Sequence, residues 1–242
     1  FFVFISFLGP LLGLIMGFDA INAEENKGTL SRMLSQPVHR DYVINTKFTA
    51  AIIVLSVMMF SLGLLVMGAG LIATGIPPTA DEFLRIVIFI IVGILYISFW
   101  LNLSIFFSVR FRQPATSALA GIATWLFLTV FYSILVSLIA RAAQPSANAS
   151  AGQVVAYQEL VMNLFRVLPG QLFSDATTTI LVPTVRSLGP LTVEKIYGTI
   201  PGSLPLGQSL LIVWPQITGL VAATVICFVL SYVSFMKREV RS

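Results

Sequence analysis

The sequence predicts an all-α integral membrane protein, and three observations lead to that fold class. Of the 242 residues, 57% are hydrophobic and only 10% are charged, whereas soluble domains carry about 25% charged residues. Four intervals between charged residues are long enough to cross roughly 30 Å of bilayer hydrocarbon. A fifth apolar run, Phe1 to Phe18, is marginal in length and contains Pro10.

These apolar runs predict five transmembrane helices, at residues 1–19, 45–74, 84–109, 114–140 and 209–235. The chain starts inside an apolar run without a methionine, and it lacks the basic n-region of a signal peptide. We therefore expect residue 1 to be a cut end, with a sixth span missing before it.

Lysine and arginine predict the orientation, because cytoplasmic loops carry an excess of these residues. Nine of the 14 basic residues fall in the loops 20–47 and 110–112 and in the tail 236–242. The sequence therefore predicts a multi-pass protein of the plasma membrane, with residue 1 starting outside and the C-terminus in the cytoplasm.

Two short connections are predicted at span ends. In the external turn 75–83, Pro77 and Pro78 stop one helix, and Asp81 and Glu82 open the next, where the helix dipole favours acidic residues. On the other side Pro114 suits the first turn of a helix that follows a tight corner.

The long external segment 141–208 differs from the other connections. It begins with a small-residue linker at 142–152, and apolar residues then recur at helical spacing within 157–173. We expect this second stretch to form one amphipathic helix at the outer interface, because it is too short and too charged to span. Four prolines and four glycines predict a loop over 183–207.

The polar stretch between the first two spans is expected to form a short amphipathic helix on the cytoplasmic surface. Asn22 is predicted to cap this helix together with Glu25, and Pro37 is predicted to end it. Its apolar face would carry Leu30, Met33 and Leu34. This apolar face could contact a soluble partner, or the helix could simply rest on lipid headgroups at the interface. The pattern alone leaves both interpretations open.

Residues 24–47 resemble the first cytoplasmic loop of type-2 ABC transporter permeases. In that family an acidic residue precedes Gly-Thr-Leu, a Leu-Ser-x-Pro-Val run follows, and a basic residue leads into the next span. This chain has EENKGTL at 24–30, LSQPV at 34–38, and then Arg40 and Lys47. The family usually has six spans, and the terminal FMKREVR is similar to its cytoplasmic end, although only 24–47 is specific.

The resemblance implies that residues 24–36 form a coupling helix that docks in a groove of a separate ABC ATPase subunit. Residues 1–242 would then form a single permease domain that is surrounded by membrane lipid and faces a second permease copy, identical or related. The implied ATPase-coupling interface consists of Glu24, Glu25, Gly28, Thr29, Leu30, Arg32, Met33, Leu34, Pro37 and Arg40. The apolar residues among them would insert into the ATPase groove, and Gly28 would allow close backbone approach.

The sequence carries no motif of an enzyme. It has no Gly-x-x-x-x-Gly-Lys-Ser/Thr phosphate loop, so ATP and Mg²⁺ are expected on the partner ATPase and no cofactor is expected in this chain. It has no His-Glu-x-x-His, Cys-x-x-Cys or Gly-x-Ser-x-Gly motif, and no metal or catalytic site is predicted. Its basic residues lie at segment ends, where the membrane explains them, and no nucleic-acid partner is expected.

Polar residues on the third span are the remaining candidates. Ser98, Asn102, Ser104 and Ser108 are expected to hydrogen-bond between helices, and Ser98 and Asn102 are also candidates for a substrate path. The scarcity of ionisable residues within the spans argues against a proton-coupled carrier. The sequence therefore predicts an ATP-driven exporter, with a lipid-like or amphiphilic cargo favoured and cofactor or metal-handling export left open. The alternatives are a membrane anchor or scaffold and an ion channel.

Overall fold

The computed structural model describes residues 1–35, 39–146, 149–184, 188 and 204–237, and every regular element in these ranges is helical. The helices are α1 (Phe2–Gly17), α2 (Asn22–Asn26), α3 (Thr29–Leu34), α4 (Arg40–Thr74), α5 (Ala80–Arg110), α6 (Pro114–Leu126), a π-helical turn (Phe127–Phe131), α7 (Tyr132–Ala142), α8 (Ala151–Phe165), α9 (Pro169–Leu181) and α10 (Leu206–Lys237).

Within the described ranges, five helical segments are long and apolar enough to cross a membrane, which confirms the predicted fold class. They are Phe2–Asn26, Arg40–Thr74, Ala80–Arg110, Pro114–Ala142 and Leu206–Lys237. The third of these is the most enclosed. In its apolar 18-residue stretch 61% is buried within the chain, against 11% in the corresponding stretch of the fourth. The third span is therefore the central helix of the part of the molecule that contains it.

The chain divides into two compact units. The first unit comprises residues 1–125 and 220–242, and the second comprises residues 126–219. Both boundaries lie inside long helices, one at the end of α6 and the other within α10. The assignment of residues 1–242 to a single domain stays a prediction.

In the first unit, α1 packs against α5 at glycines. A Cβ atom added to Gly13 would lie 2.7 Å from the Ile97 carbonyl oxygen, and one added to Gly17 would lie 2.9 Å from the Leu101 carbonyl oxygen. The Ser104 hydroxyl donates to the Leu14 carbonyl at 2.7 Å across the same contact. Close backbone approach and interhelical hydrogen bonding are the usual means of helix association in membranes, so α1 and α5 form one tight pair.

The turn between α4 and α5 has well-defined caps. α4 ends at Gly75, whose φ of 69° is the left-handed conformation that glycine adopts without strain. α5 starts with a capping box in which Thr79 and Glu82 bond each other's backbone N–H groups. The predicted acidic helix start is therefore observed, and the Thr79 cap is an addition to it.

The external segment differs from its prediction. The single helix predicted at 157–173 is wrong: α8 begins at Ala151, inside the predicted linker, and ends at Phe165, while α9 begins at Pro169. The chain breaks between them because a proline disfavours helical geometry in the residue before it. The start of α8 is fixed by a second capping box, formed by Ser150 and Gln153.

The buried face of the external segment lies on α9. No residue of α8 is buried, and Leu160, one of the apolar residues within 157–173, is 45% exposed. α9 instead buries Phe173, Ala176 and Ile180 within the second unit. Most of the predicted loop at 183–207 lies outside the described residues.

Candidate functional site

The polar segment between the first two spans consists of two short helices rather than the one predicted at 24–36. α2 ends at Asn26, and α3 begins at Thr29. Between them Gly28 has a φ of 69°, and a Cβ atom there would meet nothing within 4 Å. Backbone conformation, not space, therefore favours glycine at this position, and the two helices can point in different directions.

The predicted cap of the segment is also different. Asn22 is the first residue of α2 rather than its cap, and the preceding Ile21 has no polar side chain to offer. The Ser108 hydroxyl oxygen on α5 accepts instead, from the Ile21 N–H at 2.9 Å and the Asn22 N–H at 3.2 Å. A serine from another helix thus satisfies amides that a local N-cap residue would otherwise bond.

The Asn22 side chain is fully buried beside this cap. Its exposure is 0%, and within the described ranges neither its amide nitrogen nor its amide oxygen has a hydrogen-bond partner. A buried amide without partners destabilises the folded state. The Asn22 side chain is therefore held in place by the packing around it and not by hydrogen bonds of its amide group.

Leu30 fixes α3 to the chain's own core. Its side chain is 1% exposed and belongs to a cluster with Ile21, Val43, Ile44, Leu101, Ile105, Val109 and Phe235. Met33 is half-buried and packs against the same cluster. In this structure the Leu30 side chain therefore presents no surface to another protein, and its insertion into a groove of a partner stays a prediction.

Polar contacts tie the segment to the neighbouring helices. Glu24 on α2 forms an ion pair with Lys47 on α4. The Asn26 side-chain amide donates to the Arg112 carbonyl at 2.9 Å, which joins α2 to the corner between α5 and α6. Thr29 donates to the Glu24 carbonyl at 3.0 Å and closes the turn between α2 and α3.

The remaining residues of the predicted coupling interface lie in different environments. Gly28, Thr29 and Arg32 are exposed, whereas Glu25 and Arg40 are half-buried. The Leu34 side chain and Pro37 lie outside the described residues. The structure thus brings Glu24 to Met33 into one anchored segment, and its assignment as an ATPase interface stays a prediction.

The third-span residues are enclosed. Ser98 and Asn102 are buried on α5, and the Asn102 carbonyl accepts a hydrogen bond from Ser231 on α10 at 3.1 Å. A substrate path along these two residues would require α5 to move, and that role stays a prediction. The predicted bonding between helices is confirmed for Ser104 and Ser108.

Sequence reasoning missed the contacts made at a distance along the chain. Glu24 and Lys47 are 23 positions apart, and Asn26 and Arg112 are 86 apart. No periodicity or motif links such positions, so only the packing of the spans reveals them. Among the residues that the structure describes, no group of three or more His, Cys, Asp or Glu side chains could hold a metal ion.

In the part of the chain that the structure describes, five apolar spans and a polar segment anchored between the first two define a multi-pass membrane protein. The model of the ABC-2 family transporter proteins matches residues 1–240. The chain therefore belongs to the ABC-2 transporter family and is a membrane permease of an ABC transporter. Among curated proteins, no sequence matches the chain. The resemblance seen at 24–47 is confirmed, and it extends to nearly the whole chain.

Proposed function

We propose that this chain is the permease subunit of an exporter and that the α2–α3 segment transmits motion from a separate ATPase to the spans. The family normally works with an ABC ATPase. The single observation that carries the proposal is the burial of Leu30 in the core formed by the spans. A helix that merely rested on lipid headgroups would have no need of that anchor.

The first route of transmission runs to α5. The backbone N–H groups of Ile21 and Asn22 donate hydrogen bonds to Ser108 on α5. The Asn26 side chain donates to the Arg112 carbonyl just past the end of α5. Since α5 is also packed closely on α1 through Gly13 and Gly17, a push on α2 displaces α1 and α5 as one body.

The second route runs to α4 through the ion pair between Glu24 and Lys47. Both side chains are partly exposed, at 24% and 36%, and exposed ion pairs contribute little to stability. This connection is therefore weaker than the one to α5, and it can open during a transport cycle without unfolding the segment.

The ATP-dependent step belongs to the partner in this proposal. Two permease copies face each other, ATP and Mg²⁺ bind between two ATPase subunits, and closure of the ATPases moves both α2–α3 segments. The spans then rearrange and release cargo on the far side of the membrane. The chain lacks a phosphate loop, which is consistent with this division of labour.

A lipid-like or amphiphilic cargo is supported by a groove in the first unit. It has a volume of about 320 Å³ and lies between α1 and α4. Its lining is apolar and consists of Phe4, Ile5, Leu8, Gly9, Leu11, Leu12, Ile15, Met58, Met59, Leu62 and Ile97. Such a surface suits a hydrocarbon tail and offers nothing to a small charged solute.

The proposed orientation places α2, α3 and the C-terminus in the cytoplasm and α8 and α9 outside. In a background in which Cys227 is replaced by alanine, an impermeant thiol reagent should label Ser146→Cys in intact cells. It should label Thr29→Cys only after permeabilisation. The reverse pattern would overturn the orientation in the plasma membrane.

Coupling is tested with the purified complex. The chain should retain an ATPase through purification, and in proteoliposomes ATP hydrolysis should accompany movement of an amphiphilic probe away from the side that holds the ATPase. Retention of the ATPase without ATP-dependent transport would favour the anchor or scaffold. Flux of ions without ATP would favour the channel.

A further inference from the structure

The exposed surface of the α2–α3 segment is cationic. Lys27 lies in the turn between the helices and Arg32 lies on α3, and both are exposed. In the part of the chain that the structure describes, neither forms an ion pair. The apolar side chains with described contacts, Leu30 and Met33, point toward the core instead. Among the side chains that the structure describes in this segment, those left for a partner are therefore polar and include two positive charges.

The adjoining corner adds two more positive charges. Arg110 ends α5, Arg112 follows it, and both are exposed. The hydrogen bond from Asn26 to the Arg112 carbonyl holds the end of α2 against this corner. Lys27, Arg32, Arg110 and Arg112, here called the basic surface, thus lie at the same end of the first unit.

Among the residues that the structure describes near the basic surface, few acidic side chains are exposed. Glu24 is paired with Lys47, and Glu25 is half-buried. Asp19, in the turn before α2, is the exposed acidic residue of this stretch. Four exposed cations against one exposed carboxylate leave a clear positive balance.

We propose that the basic surface docks in an acidic groove of the partner ATPase, so that recognition is electrostatic rather than apolar. This inference rests on the proposed function and names the chemistry of its partner surface. Opposite charges across an interface steer association and fix its register. Salt screens them, because the Debye length falls from about 14 Å to about 6 Å between 0.05 M and 0.3 M ionic strength.

Anionic lipid headgroups are the competing source of negative charge, since they attract basic residues next to a span. The arrangement of the basic surface favours a protein groove. It includes a turn at Gly28 with hydrogen bonds on both sides that fix its shape. A lipid surface would attract the same positive charges without needing a fixed shape.

The test measures the affinity of the ATPase for the full chain in nanodiscs of zwitterionic lipid only. The ATPase is the subunit recovered with the tagged chain, identified by its phosphate loop, purified and bound again. The double variant Lys27→Glu, Arg32→Glu should weaken binding about tenfold or more at low salt. For the wild-type chain, raising salt from about 50 mM to about 300 mM should weaken binding severalfold and narrow its difference from the variant.

Arg141→Glu is the matched control, because Arg141 is an exposed cation at the end of α7, in the second unit. It should leave affinity unchanged at both salt concentrations. Equal, salt-independent binding of wild type and double variant would overturn the inference and leave the coupling proposal standing. The inference would also be overturned if the double variant lost only the binding of vesicles that contain an acidic phospholipid and kept its affinity for the ATPase. If no ATPase binds the wild-type chain, the proposed function itself fails.

Discussion

In the part of the chain that the structure describes, two pairs of short helices lie between spans, and they are anchored differently. In the α2–α3 pair both helices are tied down: Ser108 caps α2, and Leu30 buries α3 in the core of the first unit. In the α8–α9 pair only α9 is buried, through residues such as Phe173. α8 buries nothing and is connected through Tyr132, whose hydroxyl donates to the Leu164 carbonyl at 3.0 Å.

The difference agrees with the coupling role that we propose for the α2–α3 segment. A segment that is fixed at both helices would pass a displacement on to the spans, as a coupling element must. A helix with few buried contacts opens locally at little cost in free energy, so α8 is the part of the external segment that is free to rearrange. Substitutions in the two helix pairs and in their anchors test this contrast.

Leu30→Asp should have the largest effect, because it places a charge in the core that holds α3. We expect the free energy of unfolding to fall by more than about 4 kcal/mol, which thermal unfolding in detergent would report as loss of the folded chain. The exposed neighbour Lys27→Asp should be mild. Equal stability of the two variants would show that Leu30 faces outward, as a docking residue would.

Phe173→Ala should be next, since it removes a fully buried aromatic side chain from the second unit. The expected loss is about 3–5 kcal/mol. Leu160→Ala on α8 should cost little, because that side chain is 45% exposed. Thermal denaturation of both variants decides which helix anchors the external segment, and a larger effect at Leu160 would reverse the assignment.

Ser108→Ala should have an intermediate effect. It leaves the Ile21 and Asn22 amides without their acceptor, and loss of a helix cap costs about 1–2 kcal/mol. Transport coupled to ATP hydrolysis should fall more than ATPase binding does, because the docking surface remains.

The control for Ser108 is Ser133→Ala, whose hydroxyl donates only to the Thr129 carbonyl one turn before it on the fourth span. Its stability and coupling should stay close to those of the wild type. If Ser108→Ala also keeps full coupling of transport to ATP hydrolysis, motion does not reach α5 through the hydrogen bonds between Ser108 and the start of α2.

Lys47→Gln should have the smallest effect, because the ion pair with Glu24 is partly exposed. The expected cost is about 0.2–1 kcal/mol and should shrink as salt screens the pair. Unfolding measured at low and high salt provides the check. A cost of several kcal/mol that is independent of salt would make the α4 connection as strong as the one to α5.

Much of the fold was predictable because its signals are local. The five spans follow from length and hydropathy, since hydrocarbon accepts only segments whose backbone bonds are satisfied internally. The turn at Pro77 and Pro78 and the acidic start of α5 were recognisable from residue types whose preferences need no partner. The resemblance at 24–47 was confined to about two dozen residues, and the family match extends it to residues 1–240.

The differences between the sequence-based prediction and the structure share one cause. The pattern at Leu30 and Met33 identified an apolar face correctly, but it could not tell whether that face packs on a partner or on the chain's own spans. Asn22 is a residue type that often caps helices, yet its side chain is buried. The acceptor for its backbone N–H is a serine on another helix. The apolar spacing at 157–173 suggested one helix because hydrophobic periodicity alone does not show where a break shifts the buried face.

Hydropathy and charge act along the chain, so they were enough to predict a helical membrane protein with polar segments between its spans. The contacts that hold those segments in place form only when the helices pack together. Ser108 accepts a hydrogen bond from the Ile21 amide, Asn26 donates to the Arg112 carbonyl, and Leu30 belongs to the core cluster that contains Ile105. These positions come together because α1 and α5 approach closely. Such contacts depend on how helices pack in three dimensions, and no local preference encodes them.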